Sequence, residues 1–445
     1  MMLKKTFAAA LVLLPLSAAA ADIPIQRWHT PQGTQILLVE RRGNPMVDWE
    51  VSFKGAGSAA DPEGKPQTAA FTAQLLTGGA GGQDEEAFQA AANGLGAVIE
   101  AGSSAETASL RVRSLSGEER QAAAALANQA LRAPRFDEAV FARVQAQAVT
   151  ALQQQERSPD FTAARALTRL AYPDHAYGRD AHATVESLRR IQPADLRSFH
   201  RSRYAKNNAV LAVVGDISRE QAERLAEQVL EGLPDKAAHS ADIAPVPPQK
   251  AAVKKMPFAG EQAQIVLGMP LITRTDPDYY ALVAGNYVLG GGGFDSRLMN
   301  MMRDRKGYTY GVRSSLAPAA QAGLFSIGYA TQKKNTAASL ADARAVIARF
   351  IAEGPSESEL AQAKANIIGS FPLRFDSNAK LLGYLSMMGV YGLPSTYLED
   401  YPRAVEKLTA AEVKAAWQRR VKLADLHTVV VGDVPKTQGK NTKRR

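Results

Sequence analysis

The order of its segments predicts an α+β protein of two homologous lobes, each a mainly antiparallel sheet packed against helices. Three observations indicate this fold class. Pairs of β-rich segments alternate with pairs of helix-type segments, the order recurs after a proline-rich stretch, and each half closes on a β-rich run ending in Gly-Asp. The closing runs are Val213–Asp216 and Val430–Asp433. A duplicated unit with a linker between its copies accounts for all three.

The same pattern sets the expected boundaries along the 445 residues. From the N-terminus these are a signal peptide (1–21), an N-terminal lobe (22–232), a linker (233–255), a C-terminal lobe (256–435) and a basic tail (436–445). The linker is assigned from its four prolines, which favour extended chain over a packed element.

In the first half, β-rich or alternating segments predict strands, and apolar residues at helical spacing predict helices. The predicted strands are Gln35–Glu40, Val47–Phe53, Ala97–Glu100, Ser109–Leu115 and Asn208–Asp216. The predicted helices are Thr68–Leu76, Glu85–Asn93, Gly117–Leu131, Asp137–Gln155 and a segment that begins at Pro159. Asp84 is expected to cap the second helix, because its carboxylate can accept from the unpaired N–H groups of the first turn.

The second half repeats this arrangement. Its predicted strands are Gln264–Met269, Ala322–Ala330 and Leu426–Asp433. Its predicted helices are Pro277–Leu289, Ala337–Ala352, Glu357–Ser370, Asn378–Tyr391 and Ala410–Arg419.

The N-terminus has the composition of a cleavable secretory signal. Lys4 and Lys5 precede the apolar run Phe7–Leu16, and the small residues Ser17–Ala21 follow it. The run is too short to span a bilayer comfortably, and no other stretch approaches spanning length. There is no cysteine, hence no disulfide framework and no thiolate metal site. We expect export to the periplasm of a Gram-negative bacterium; the alternative is a buried N-terminal helix.

The net charge of +9 overstates the charge of the folded body. Two lysines lie in the expected signal and five basic residues lie in the tail, which leaves +2 for the rest. So small a charge does not indicate a nucleic-acid partner. The tail is expected to be a solvated end rather than a binding arm.

One stretch of the second half, Gly290–Leu316, combines a glycine cluster, a helix and a strand. Asp295 is expected to cap the helix and Gly307 to end it. Helical spacing predicts one buried stripe, formed by Leu298, Met301, Met302 and Arg305. Arg303 then lies on another face of the helix.

A strand is expected directly after this helix, because aromatic or apolar residues alternate with small or polar ones from Tyr308 to Arg313. Arg303 and Tyr310 therefore lie near one element boundary. An arginine fork and a phenol placed there can hold the backbone carbonyls of a bound chain. The alternative is a solvated arginine beside a strand tyrosine.

With this order in view, the chain resembles the pitrilysin/insulinase family of zinc metallopeptidases, in its smaller two-lobed type that includes mitochondrial processing peptidase subunits. Gly55–Pro66 resembles the loop before the family's metal helix, and Tyr204–Asp216 resembles its first-lobe closing strand. Ser296–Val312 resembles the segment in which the family holds substrate with an Arg and a Tyr seven residues later. Arg303 and Tyr310 have that spacing. The resemblance covers nearly the whole mature chain and implies half of a clam shell.

The resemblance also implies where zinc would bind. Family enzymes use H-x-x-E-H on a first-lobe helix, where two His bind zinc and the Glu activates water, and a further Glu comes from a later helix. Here the motif positions fall on Ala70, Ala73 and Gln74, and the later helix, Phe141–Gln155, has no acidic residue. We therefore expect a chain that is inactive alone and holds no zinc, with the zinc in a partner subunit.

The sequence contains no recognisable replacement for this motif. None of the six histidines has a companion at H-x-x-E-H or i, i+4 spacing, and no G-x-S-x-G, S-x-x-K or complete P-loop occurs. His175 and His182 flank a loop, where a ligand pair is the weaker interpretation. The glycine clusters at 78–82 and 290–293 lack the lysine that phosphate binding needs, so turns or hinges are expected.

Three functions remain open at this point. The preferred one is a non-catalytic, peptide-binding subunit that pairs as a heterodimer with a zinc-bearing homologue for metalloendopeptidase activity on an unfolded peptide. The second is a stand-alone peptide-binding or assembly protein without a peptidase partner. The third is a peptidase with an unrecognised site. The residues do not tell whether a partner is a homologue or a second copy of this chain.

Overall fold

The structure is a computed structural model that describes residues 23–432. The predicted signal peptide and basic tail lie outside these residues, as does the aspartate that ends the second closing run. Among the residues described, no helix is both long and apolar enough to cross a lipid bilayer.

The first half contributes a six-stranded sheet and a small two-stranded ribbon. The strands are β1 Gln26–His29, β2 Gln35–Glu40, β3 Met46–Lys54, β4 Gly79–Ala80, β5 Gln83–Asp84, β6 Val98–Ser103, β7 Thr107–Leu115 and β8 Ala209–Gly215. The order in the large sheet is β1-β2-β8-β3-β7-β6, and β4 pairs with β5. Within the large sheet only β2 and β8 run parallel.

The second half contributes a five-stranded sheet. Its strands are β9 Val253–Met256, β10 Gln262–Ile272, β11 Val312–Ala317, β12 Gly323–Gln332 and β13 His427–Val431. The order is β11-β12-β10-β13-β9, with β13 and β9 as the parallel pair. The predicted mainly antiparallel sheets are confirmed, and in each the closing strand makes the parallel pairing. Most of β9 falls within the predicted linker, whose end is therefore a strand.

Helices cover the sheets and fill the space between them. They are α1 Thr68–Gln74, α2 Glu85–Gly94, α3 Glu118–Arg132, α4 Glu138–Gln155, α5 Pro159–Ala171, α6 Val185–Arg189, α7 Pro193–Arg203, α8 Arg219–Leu230, α9 Tyr279–Asn286, α10 Arg297–Met299, α11 Thr336–Glu353, α12 Glu357–Ser370, α13 Asn378–Val390, α14 Tyr397–Lys407 and α15 Ala410–Arg420. As expected, Asp84 caps α2, accepting from the Ala87 N–H at 2.9 Å. The α9 and α10 helices each continue into wider π-type turns, at Tyr287–Gly291 and Asn300–Arg305.

One helix of each half packs against the sheet of the other half. Helix α13 of the second half packs on β3 and β8, and helix α5 of the first half packs on β10 and β13. Close approach is possible because glycines lie at the contacts: a Cβ on Gly389 would come within 2.3 Å of Val210 Cγ1, and one on Gly268 within 2.8 Å of Leu167 Cδ2. The sequence pattern gave no sign of this exchange.

Buried polar contacts also join the halves. The Ser386 hydroxyl donates to the buried Glu50 carboxylate at 2.6 Å, and the Tyr391 hydroxyl donates to Glu106 at 2.6 Å. Such contacts keep buried carboxylates hydrogen-bonded, which burial requires. The two sheets are therefore held by shared helices and polar bonds, and not by the linker alone.

Candidate functional site

Helix α1 carries the positions of the metal motif, and its start is fixed by a buried carboxylate. Asp61 accepts from the N–H groups of Gln67 and Ala69, both at 2.7 Å. Burial raises the pKa of Asp61 to about 7, and these two hydrogen bonds oppose the rise. Gln67 itself adopts a left-handed conformation with φ of 72°. The sequence thus builds a defined helix where the resemblance places the metal helix.

The motif positions on α1 carry no group that binds zinc. Ala70 is half-buried and Gln74 is exposed, one turn apart on the helix, whereas Ala73 is fully buried in the first-lobe core. Structural and catalytic zinc sites need three or four His, Cys, Asp or Glu ligands. No group of three such residues able to hold a metal occurs within residues 23–432. The residues present do not fit zinc.

Helix α4, from which a further ligand would come, meets α1 through aromatic packing. The rings of Phe71 and Phe141 lie edge to face, with centroids 5.8 Å apart. Gln145 donates to the backbone carbonyls of Leu188 and Ile191, at 2.8 and 3.1 Å, so its amide holds α4 to the α6 region. This face of the first lobe is built for packing and offers no metal chemistry.

The second candidate region is Gly290–Leu316, where three expectations need correction. Ser296, and not Asp295, caps the helix: its Oγ accepts from the Met299 N–H at 3.4 Å, whereas Asp295 lies in a preceding turn and binds Gln362. Arg305 is exposed rather than part of the buried stripe, because the π-type turn rotates it off the α-helical spacing.

The strand also starts later than expected. Pairing with β12 begins at Val312, opposite Tyr329, and the preceding residues form an irregular turn. The Thr309 hydroxyl closes this turn locally, because it accepts from the Gly311 N–H at 3.1 Å. Alternation alone could not reveal a turn that side-chain hydrogen bonds stabilise.

Arg303 lies over an aromatic ring that the sequence interpretation did not single out. Its guanidinium carbon is 4.7 Å from the ring centroid of Phe294, and that ring is 66% exposed. Stacking of this kind holds the guanidinium plane while leaving its N–H groups free to donate. A large aromatic directly after four glycines was the signal that could have found Phe294.

Tyr310 points away from the protein, with 90% of its surface exposed. Among the described residues, no hydrogen bond or ring contact joins it to Arg303, so the two share a segment without touching. The turn that carries Tyr310 is nevertheless anchored on one side. The Tyr308 N–H donates to the Met302 carbonyl at 2.8 Å, and the Tyr308 carbonyl accepts from Thr331 at 2.8 Å.

The start of the segment is anchored by an ion pair. Arg297 donates to both carboxylate oxygens of Glu359 at 2.7 Å and to the Gly354 carbonyl at 2.9 Å. The Arg297 guanidinium lowers the pKa of Glu359 to about 2, so the pair stays charged throughout the neutral range. The segment therefore presents Phe294, Arg303 and Tyr310 from a fixed base.

These features define a class: a two-sheet chain of the zinc-peptidase type whose metal helix has lost its ligands. Residues 190–367 match the family model described as peptidase M16 inactive domain. A crystal structure of a peptidase M16 inactive domain from Pseudomonas fluorescens is 35% identical and superimposes with a TM-score of 0.88, over 92% of this chain and 98% of that one. The chain belongs to the M16 peptidase family as an inactive member, and the resemblance to pitrilysin and insulinase is confirmed.

Two further proteins similar to this chain differ in their described activity. A non-peptidase homolog, YmxG, from Helicobacter pylori is 26% identical over 405 residues, which are 90% of this chain and 92% of the relative. The periplasmic protease PqqL from Escherichia coli shares the fold at 17% identity and a TM-score of 0.78, over 97% of this chain and 49% of PqqL. Both a protein without peptidase activity and a protease thus share the architecture.

Proposed function

We propose that this chain is the non-catalytic, peptide-binding subunit of a periplasmic metalloendopeptidase, and that a homologous subunit supplies zinc. One observation carries the proposal: α1 has lost every ligand position, while Arg303 and Tyr310 remain presented to solvent from an anchored segment. Phe294 and Tyr310 are both largely exposed, so both side chains are accessible to a bound peptide.

The side chains suit the backbone of an unfolded peptide. A guanidinium donates several N–H bonds in a planar fork, and a phenol donates one O–H bond. Both match the carbonyl oxygens that an extended peptide leaves unpaired. Phe294 adds an apolar surface beside them, which favours a peptide that also carries apolar side chains.

The proposed partner and compartment rest on the missing zinc ligands of α1 and on the secretory composition of the N-terminal segment. We propose that a zinc-bearing partner supplies the cleaving face, since no group of metal ligands occurs within the part of the chain that the structure describes. The secretory composition of the N-terminus favours the periplasm as the site of assembly.

Reconstitution tests the proposal. The purified chain is mixed with a zinc-bearing homologue over a quenched unfolded peptide, and cleavage is followed by fluorescence. We expect this chain alone to cleave no peptide. When both chains are present, the cleavage rate should be at least tenfold higher than the rate with the homologue alone. Arg303→Ala/Tyr310→Phe should reduce this gain at least tenfold.

Arg305→Ala is the matched control, since Arg305 is an exposed arginine of the same π-type turn. It should leave the gain unchanged. If the double variant and the control stimulate cleavage equally, the segment does not hold substrate. If no homologue is stimulated but the chain binds peptide, a stand-alone binding or assembly protein replaces the heterodimer.

A further inference from the structure

A pocket of about 430 Å³ opens where α13, α14 and the start of α9 meet the first sheet. Four cationic side chains line it and no carboxylate does: Arg111, Arg274, Arg374 and Lys380. Four tyrosines complete the walls. The pocket is therefore basic and aromatic, and none of its lining residues belongs to α1 or to Gly290–Leu316.

Two of the four cations are already neutralised by carboxylates outside the lining. Arg111 pairs with Glu50 at 2.6 Å, and Lys380 pairs with Asp376 at 3.0 Å. Among residues 23–432, neither Arg274 nor Arg374 forms an ion pair. The pocket thus keeps two guanidinium groups whose charge no neighbouring carboxylate offsets.

Arg274 is held by aromatic groups and is left with an unused donor. Its guanidinium carbon lies 5.4 Å from the ring centroid of Tyr391, and one N–H group donates to the Tyr279 hydroxyl at 3.3 Å. Its Nε is buried without a hydrogen-bond acceptor. Among residues 23–432, the Tyr279 hydroxyl is thus the one side-chain acceptor that the Arg274 guanidinium contacts, which leaves most of its N–H donors available.

The Arg374 guanidinium also lies over aromatic rings. Its guanidinium carbon lies 5.7 Å from the ring centroid of Phe371 and 5.9 Å from that of Tyr401. Burial raises the pKa of Tyr401 and of Tyr397, so these phenols stay neutral and supply no negative charge to the arginines. The pocket therefore offers two cationic side chains to an anionic ligand.

The floor of the pocket leaves room for a side chain. Ala379, Gly383 and Met387 recur every four residues on one face of α13, so small groups and one adaptable thioether line the same pocket as the arginines. A carboxylate with a small or apolar body attached fits such a space. Guanidinium forks recognise carboxylates through two parallel N–H bonds.

We propose that this pocket binds the carboxylate of a bound peptide, from either its C-terminus or an acidic side chain, through Arg274 and Arg374. The nature of the occupant rests on the proposed function. Tyr279 begins α9, and the helical stretch that starts there ends at Gly291, about 20 Å away at 1.5 Å per residue. An extended peptide of about six residues covers that distance.

Fluorescence anisotropy with three labelled octapeptides tests the proposal: a free acid, its C-terminal amide, and the amide with one internal Glu. The full chain should bind the free acid or the Glu-containing amide at least tenfold more tightly than the plain amide, and the preferred form identifies the source of the carboxylate. Arg274→Gln and Arg374→Gln should each remove this preference. Arg274→Lys, which keeps the charge and loses the fork, should reduce it.

Arg189→Gln removes one exposed arginine on α6 and serves as the charge-matched control, which should keep the preference. Thermal unfolding verifies that each variant is folded. Arg303→Ala/Tyr310→Phe should weaken all three peptides alike and leave the preference intact, which separates the two proposals. Two results would overturn the proposed carboxylate pocket. One is equal affinity of the chain for the three peptides; the other is a preference for the carboxylate peptides that remains in folded Arg274→Gln and Arg374→Gln.

Discussion

The side chains of α1 and of Gly290–Leu316 differ in what they can do for a peptide. On α1, the motif positions carry two methyl groups and an amide. On the second segment, the Arg303 guanidinium is held over Phe294 and Tyr310 reaches solvent. These side chains therefore support the proposal that the chain binds a peptide and does not itself cleave it.

Two buried titratable groups act on stability in opposite directions. Burial lowers the pKa of His200 to about 4, because only the neutral ring fits its site, where Nε2 lies 2.7 Å from the Leu131 carbonyl. The unfolded chain therefore binds a proton that the folded chain does not, and stability present above pH 6.5 is lost as the pH falls toward 4. Asp61, with its raised pKa, contributes stability that is lost as the pH rises from about 4 to about 7.

His200→Gln isolates the histidine contribution. We expect the free energy of unfolding of the wild-type chain to fall by roughly 3 kcal/mol more than that of the variant between pH 7 and pH 4. Urea unfolding at a series of pH values measures this difference. His29→Gln, at an exposed histidine, is the control and should follow the wild-type pH dependence. Parallel curves for wild type and His200→Gln would contradict the assignment.

At the scale of elements, periodicity predicted most helices and strands, but α6, α7, α8 and α14 were not predicted. Helix α14 was missed since it contains Pro402, which lacks the N–H that a helix interior needs, yet its apolar face is buried through Tyr401 and Val405. Tertiary packing overrides the local preference there. The late start of β11 depends on a hydrogen bond of Thr309, which spacing alone does not encode.

Arg303 and Tyr310 were singled out from the sequence and remain a predicted site, whereas the pocket at α13 was not anticipated. Its residues come from β7, the turn after β10, the start of α9, the turn after α12, and helices α13 and α14, so they span positions 111 to 401 of the chain. They meet only because α13 crosses to the first sheet, and no single-sequence pattern reports which helix packs on which sheet.

A pair of glycine substitutions tests that crossing. Gly389→Ala should destabilise the chain by about 1–3 kcal/mol, because the added methyl would lie 2.3 Å from Val210 Cγ1 and 2.7 Å from Leu37 Cδ1. Gly369→Ala, on the open face of α12, should instead stabilise it by about 0.5–1 kcal/mol through helix propensity. Urea unfolding compares the two; equal stabilisation would place α13 away from the first sheet.

At the scale of the whole molecule, two sheets, two exchanged helices and shared buried contacts form one framework. Helix α13 joins that framework to the carboxylate pocket proposed here, and the continuation of α9 leads to the glycine cluster before Arg303. The metal helix α1 is retained as a packed element without its ligands. The chain as a whole thus has an M16 architecture, for which we propose a peptide-holding role.

The most direct measurement mixes an unfolded, labelled peptide with the isolated chain, once with a chelator and once without it. Fluorescence anisotropy measures whether the peptide binds, and mass spectrometry measures whether it is cleaved. We expect the peptide to bind with the same affinity in both conditions and to remain intact. Cleavage by the isolated chain that the chelator abolishes would contradict this expectation, as would the absence of any binding.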